Sequence, residues 1–167
     1  EDLEAELDPG LPEVVRHGTT SVVVGNCSIG LAFGAQRNEQ QDPIVDCFAR
    51  VENIPKSVLA KTADKAVWTK PREYLEHLDQ LPLAANMAPF LPHSMLRIEV
   101  MGLQDSISRQ PTATELKRMV GILEEALEDG YMGMSTDGLP LHFLANEPNL
   151  EKRIPTQYAT FGEYKAL

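Results

Sequence analysis

The chain has 167 residues, about the length of one domain or a sizeable piece of a larger one, and its 25 acidic against 15 basic side chains leave a formal net charge of −10. Such a surface is not built to neutralise phosphates, which argues against a nucleic-acid partner. Apolar residues at 43% and charged residues at 24% describe a folded globular chain, and no run approaches the roughly 18 uninterrupted apolar residues of a membrane helix. The acidic start, Glu1-Asp2-Leu3-Glu4, does not resemble a signal peptide. The chain therefore reads as cytoplasmic, with Cys27 and Cys47 both reduced.

Asp8-Pro9 marks a helix start, with Leu11, Val14 and Val15 as a short apolar face and Gly18 as its end. Thr19 to Val24 is a largely β-branched run without polar alternation, the pattern of a strand buried on both faces in a parallel sheet. Gly25-Asn26-Cys27 follows at its C-terminal end. The stretch at about 34–68, polar up to Asp46 and mixed thereafter, reads as an insertion. Thr69-Lys70-Pro71 then opens a helix that carries Tyr74, Leu75, Leu78 and Leu81 on one side and stops at Pro82. Leu83 to Phe90 is the next apolar run, and it ends in Leu91-Pro92-His93.

Thr112 and Glu115 have the spacing of a capping box. Leu116, Met119, Val120, Leu123, Ala126 and Leu127 recur behind them along one stripe, and Gly130 is the expected left-handed stop. Tyr131 to Thr136 returns as a short strand. Helix and strand thus alternate, as in a parallel sheet wrapped by helices. With no Gly-rich phosphate loop after the first strand, a barrel fits better than a doubly wound sheet. Three strands are visible where a closed barrel needs eight and about 250 residues. The expected fold class is therefore α/β, a partial (β/α)8 TIM-type barrel, and the chain is expected to be a fragment.

In barrel enzymes, catalytic groups project from the C-terminal ends of the strands. Cys27, His93 and the run Ser135-Thr136-Asp137 occupy such positions. Each also has a structural reading: a buried cysteine, a histidine bonded to backbone, a turn cap. Cys47 and His77 look structural. The four histidines, His17, His77, His93 and His142, are scattered. The sequence contains no His-x-His, His-Glu-x-x-His, Cys-x-x-Cys or Gly-x-Ser-x-Gly motif.

Several segments, in order, resemble the N-acyl-D-amino-acid deacylases, the D-aminoacylase branch of the amidohydrolase superfamily. They are His17-Gly18-Thr19-Thr20-Ser21-Val22-Val23-Val24-Gly25-Asn26-Cys27, Val51-Glu52-Asn53-Ile54-Pro55 and Arg72-Glu73-Tyr74-Leu75. Further on come Asn86-Met87-Ala88-Pro89-Phe90-Leu91-Pro92-His93-Ser94-Met95-Leu96-Arg97, Val100-Met101-Gly102, Ala113-Thr114-Glu115-Leu116 and Gly133-Met134-Ser135-Thr136. The resemblance implies a metal-dependent (β/α)8 barrel that uses zinc to hydrolyse the amide of an N-acyl-D-amino acid, a small-molecule substrate. Cys27 matches the family's cysteine metal ligand, and His93 and Ser135 fall near the substrate. The family's remaining ligands would lie outside the chain, so that the parent protein would be the active species.

Two departures stand out. Pro92 replaces the glycine of the family's Gly-His-Ser-x-Leu-Arg element. The stretch Ser135-Thr136-Asp137-Gly138-Leu139-Pro140-Leu141-His142-Phe143 alters the family's Ser-Thr-Gly-Leu-x-Tyr, which bears on substrate choice. The alternatives are an amidohydrolase acting on another linear or cyclic amide, or a silent interaction module. Strands cut from a barrel leave open edges, so the chain is expected to self-associate or to loosen between Gly34 and Trp68.

Overall fold

The computed structural model describes residues 2–36 and 41–167. Glu1 and residues 37–40 lie outside the described residues, and with them part of the segment expected to loosen after Gly34. Two short helices open the chain, α1 (Asp2–Leu7) and α2 (Pro12–Val15). The helix signalled by Asp8-Pro9 begins later than those residues suggest. Asp8 turns its carboxylate onto the Gly10 N–H at 3.1 Å, and Leu11 takes a left-handed φ of 43° before Pro12 fills the first helical position. Gly18, at φ 82°, ends this segment as expected.

β1 (Ser21–Val24) pairs in parallel with β2 (Asn86–Pro89), with Ser21 opposite Asn86 and Val24 opposite Pro89. β3 (Leu91–Pro92) pairs in parallel with β4 (Met134–Ser135). The changeover falls at Phe90. Its N–H bonds the Val24 carbonyl at 2.9 Å, whereas the next N–H, that of Leu91, bonds the Gly133 carbonyl at 2.8 Å. Residues 86–92 therefore act as one central strand whose first half serves β1 and whose second half serves β4. The three runs read from the sequence pair in parallel, as the alternation of helix and strand predicts.

The expected two-sided burial of β1 is not seen. Only Val24 is buried and Val23 is 41% exposed, because β1 has β2 as its one strand neighbour among the described residues. The sheet does not close among those residues, and the architecture observed is mixed α/β with parallel strand pairs. No described helix is long and apolar enough to cross a membrane.

The stretch read as an insertion contains two helices, α3 (Pro43–Val51) and α4 (Lys56–Ala63). α3 starts where Asp42 accepts the Val45 N–H at 3.1 Å and Pro43 takes the first position. α5 (Pro71–Gln80) buries Tyr74 and Leu78. α6 (His93–Met101) follows β3 directly and leads into α7 (Leu103–Ser106). Seven of the nine residues of α6 are buried, so it has no one-sided stripe to read.

α8 (Ala113–Asp129) carries its capping box as predicted, with the Glu115 N–H 3.2 Å from Thr112 Oγ1 and the Thr112 N–H 2.7 Å from Glu115 Oε2. Its Met119, Leu123 and Ala126 share the main core with Met95 and Leu96 of α6. A 3₁₀ turn (Pro155–Tyr158) and α9 (Phe161–Ala166) complete the chain.

Candidate functional site

Gly25 is where β1 leaves the sheet. Its φ is 74°, and a Cβ built on it would stand 2.5 Å from the Phe90 carbonyl oxygen, so a glycine is required for β1 to lie this close to the central strand. The Gly25 carbonyl accepts a hydrogen bond from the Ser135 hydroxyl, which ties the ends of β1 and β4 together.

The chain then turns tightly. Asn26 Nδ2 donates to the Val23 carbonyl at 2.9 Å, and Cys27 (φ 54°) and Ser28 (φ 63°) both take left-handed backbone. For non-glycine residues this costs on the order of 1 kcal/mol or more each, and it persists only where surroundings enforce it. The enforcement comes from α6. The Ser94 N–H donates to the Ser28 carbonyl at 3.0 Å, and the two serine hydroxyl oxygens lie 2.7 Å apart.

Cys27 is half-buried and free. Burial pushes its thiol up, and the negative charges of Asp137 and Glu52 push it further. These surroundings disfavour a bare thiolate. A cavity of about 200 Å³ opens at this strand end, lined by Gly25, Asn26 and Ile29 together with Asp2, Glu4 and Glu52. Asp137 accepts from the Leu139 N–H at 3.1 Å and from Gln157 Nε2 at 2.8 Å, and its Oδ2 lies 2.9 Å from His142 Nδ1.

His93 stands at the start of α6 with no exposed surface. Its Nδ1 is 2.8 Å from Thr156 Oγ1 and its Nε2 is 3.0 Å from Glu163 Oε1. Burial lowers its pKa against the opposing pull of Glu163. The partners assign the remaining proton to Nε2, which donates to the carboxylate while Nδ1 accepts from the threonine. Burial also opposes ionisation of Glu163. Hydrogen bonds from His93 and Arg97 overcome it and hold that carboxyl below the usual range. Arg97 reaches Glu163 at 2.6 Å and spends its other terminal nitrogen on the carbonyls of Ser106 and Arg109.

Ser135 thus bonds the backbone two residues before Cys27, while His93 faces inward to a closed ionic network. Cys47 is fully buried, with its thiol pushed far up by that burial. His77 lies 2.8 Å from Glu6 Oε1 and stacks on Trp68. Among the described residues no three His, Cys, Asp or Glu side chains gather as a metal shell. Cys27 fits a metal as a single soft donor, not as a complete site. A larger space of about 610 Å³, bordered by Lys70, Arg72, Glu99, Arg118, Ile122 and Asp129, touches no strand end.

Ser28, Ser94, Thr156 and Glu163 were not singled out from sequence. The signal available was local: Ser94 and Arg97 are polar residues in an apolar stretch, and polar groups buried there need partners. Nothing local identifies partners more than 60 positions away.

Comparison with curated proteins finds 38% identity over 169 residues with an uncharacterized protein of Mycobacterium tuberculosis, covering 99% of this chain and 27% of that relative. The N-acyl-D-aspartate deacylase of Alcaligenes xylosoxydans xylosoxydans is 32% identical over 128 residues, 77% of this chain and 22% of the relative. The N-acyl-D-glutamate deacylase of the same organism is 32% identical over 136 residues, 81% of this chain and 24% of the relative.

Among solved structures, the N-acyl-D-glutamate deacylase from Bordetella bronchiseptica, complexed with zinc and a phosphonate mimic of the reaction's tetrahedral intermediate, gives a TM-score of 0.68 at 26% identity. That match covers 99% of this chain and 28% of the other. A D-aminoacylase structure described as defining a novel subset of amidohydrolases gives 0.61 at 25% identity, with the same coverage. The chain spans between 22% and 27% of the length of these curated relatives. No family model matches it.

Proposed function

We propose, for a chain whose relatives and structural neighbours are the N-acyl-D-amino-acid deacylases of the amidohydrolase superfamily, that it forms part of the active site of a zinc-dependent hydrolase cleaving the amide of N-acyl-D-amino acids. The strands β1 to β4 would be a section of a (β/α)8 barrel. The observation that carries the reading is Cys27, a half-buried thiol in left-handed backbone at the C-terminal end of β1, where barrel enzymes keep their chemistry.

When bound, zinc would polarise the amide carbonyl and lower the pKa of a coordinated water. Cys27 would supply a thiolate to it, and the other ligands would come from outside the described residues. Asp137 and Glu52, whose charges burden the free thiol, would favour the cation. Ser135, bonded to Gly25, fixes the relative position of two strand ends and lies next to the substrate. His93 has both ring nitrogens engaged internally, which supports a role in orienting the strand-end loop rather than in touching substrate. Free Cys27 and Cys47 fit a reducing, cytoplasmic location. The outer edges of β1 and β4 are unpaired among the described residues, which supports self-association of the isolated chain, readable by light scattering.

The test uses the protein that carries this chain. N-acyl-D-amino acids and their L-isomers are offered as substrates, and zinc is counted by atomic emission in wild type and Cys27→Ala. Turnover of a D-isomer, lost together with zinc in the variant, is expected. No turnover of any D-isomer would overturn the reading.

A further inference from the structure

We infer that Ser94 is a positioning residue for Cys27, setting the direction of the thiol by clamping Ser28 in its left-handed conformation; this rests on the deacylase reading, in which Cys27 meets a metal. Three observations lead there. Cys27 and Ser28 are consecutive non-glycine residues at positive φ, 54° and 63°, a conformation that L side chains do not hold unaided. Ser94 grips Ser28 twice, its N–H on the Ser28 carbonyl at 3.0 Å and its hydroxyl 2.7 Å from the Ser28 hydroxyl. Both serines are fully buried, so water cannot replace either bond.

Ser94 is itself held from behind. Its Oγ accepts the Thr156 N–H at 3.0 Å, and Thr156 is fixed by His93 on its hydroxyl and by the Tyr164 O–H, which donates to its carbonyl at 2.7 Å. Since Ser94 accepts from Thr156 through Oγ, its own proton is free to go to Ser28. The interior network around His93 thus ends, through two hydroxyls, at the residue after the candidate ligand. Ser94 lines no cavity described above and acts on the site only through Ser28. A small rotation at Ser28 swings the adjacent thiol, and a metal ligand has to be held to a narrow range of distance and direction.

The experiment loads Co²⁺ into the protein that carries this chain and reads the thiolate-to-cobalt charge-transfer band and the cobalt affinity. Variants are Cys27→Ala, Ser94→Ala, Ser28→Ala, Ser28→Gly and the double variant Ser28→Gly/Ser94→Ala. Ser28→Ala leaves the Ser94 to Thr156 bond intact and so remains informative if Ser94→Ala folds poorly.

The band is expected in wild type and absent in Cys27→Ala. Ser94→Ala and Ser28→Ala should shift the band and weaken cobalt binding tenfold or more, in the range that outer-sphere partners of metal ligands command. Glycine at 28 takes the left-handed turn without help, so the double variant should recover most of the affinity lost in Ser94→Ala. Wild-type affinity and spectrum in both alanine variants, with Cys27→Ala still losing the band, would overturn the clamp and leave the deacylase reading standing. A wild type without any band would overturn both.

Discussion

His93 Nε2 and Glu163 Oε1 lie 3.0 Å apart across 70 positions of sequence, and neither side chain is more than 2% exposed. The groups facing this ring are Glu163 and Arg97, with the Tyr164 ring inclined at 54° beside it, centroid to centroid 5.1 Å. Burial keeps the ring below its ordinary value of 6.5. As pH falls through 6.5 the unfolded chain therefore takes a proton that the folded chain refuses, and stability declines. Glu163 is held below its ordinary 4.5 and adds a second loss as pH falls past that value. Urea midpoints should be flat from about pH 7 to about pH 8, below the range where the buried thiols matter, and should drop in two stages toward about pH 4. His93→Gln, which cannot titrate, should lose the upper stage. An unchanged upper stage in that variant would show that other histidines cause it.

Arg97 and Glu163 form a buried pair that also serves other groups. Removing one member strands a charge in the interior, at a cost of about 3–5 kcal/mol. Arg97→Met and Glu163→Gln should each destabilise on that scale. The double variant should cost at least about 1 kcal/mol less than the sum, because neither charge is then left alone. Denaturant unfolding of the four proteins gives the coupling directly, and strict additivity would mean that the two charges do not depend on each other.

Asp46 fastens α3 to the loop that follows Phe143. Its Oδ1 accepts the backbone N–H groups of Ala145 at 2.6 Å and Asn146 at 2.7 Å, while Lys56 reaches the Asn146 side chain at 2.7 Å. Burial pushes its carboxyl up despite those two donors. Asp46→Ala leaves the N–H groups without that oxygen and should cost about 1–3 kcal/mol. Asp46→Asn keeps an oxygen in place and should cost less. Hydrogen exchange should show the Asn146 amide opening first in Asp46→Ala, since the Ala145 N–H keeps the Asp46 backbone carbonyl at 3.0 Å; equal exchange of Asn146 in both variants would remove the role given to Asp46.

What the sequence makes legible is local. The capping box of α8, the apolar side of α5 and the stops at Gly18 and Gly130 are written in neighbouring residues, and the structure has them all. The position of Cys27 after β1 is legible for the same reason. α6 is not, since a helix buried nearly all round has no periodic stripe. The reach of Glu163 to His93 and of Ser28 to Ser94 is not, since those pairs join distant parts of the chain. The two-sided burial expected of β1 fails because burial depends on neighbouring strands, and among the described residues β1 has one.

Gly25 and Gly18 separate two reasons for a glycine. Both sit at positive φ, 74° and 82°, but a Cβ on Gly18 would meet nothing within 4 Å, whereas one on Gly25 would press into the Phe90 carbonyl. Gly18→Ala should therefore cost only the left-handed penalty, about 1 kcal/mol. Gly25→Ala carries the same penalty and must also push β1 away from the central strand, straining the Phe90 N–H to Val24 bond and the Ser135 bond to the Gly25 carbonyl. Its loss should exceed that of Gly18→Ala by about 1–3 kcal/mol, the range for overpacking a filled interior. The Cys27 thiol should also become more reactive toward an alkylating reagent, since the turn it sits in starts at that carbonyl. Equal stability losses at the two positions would show that β1 does not need its close approach to Phe90.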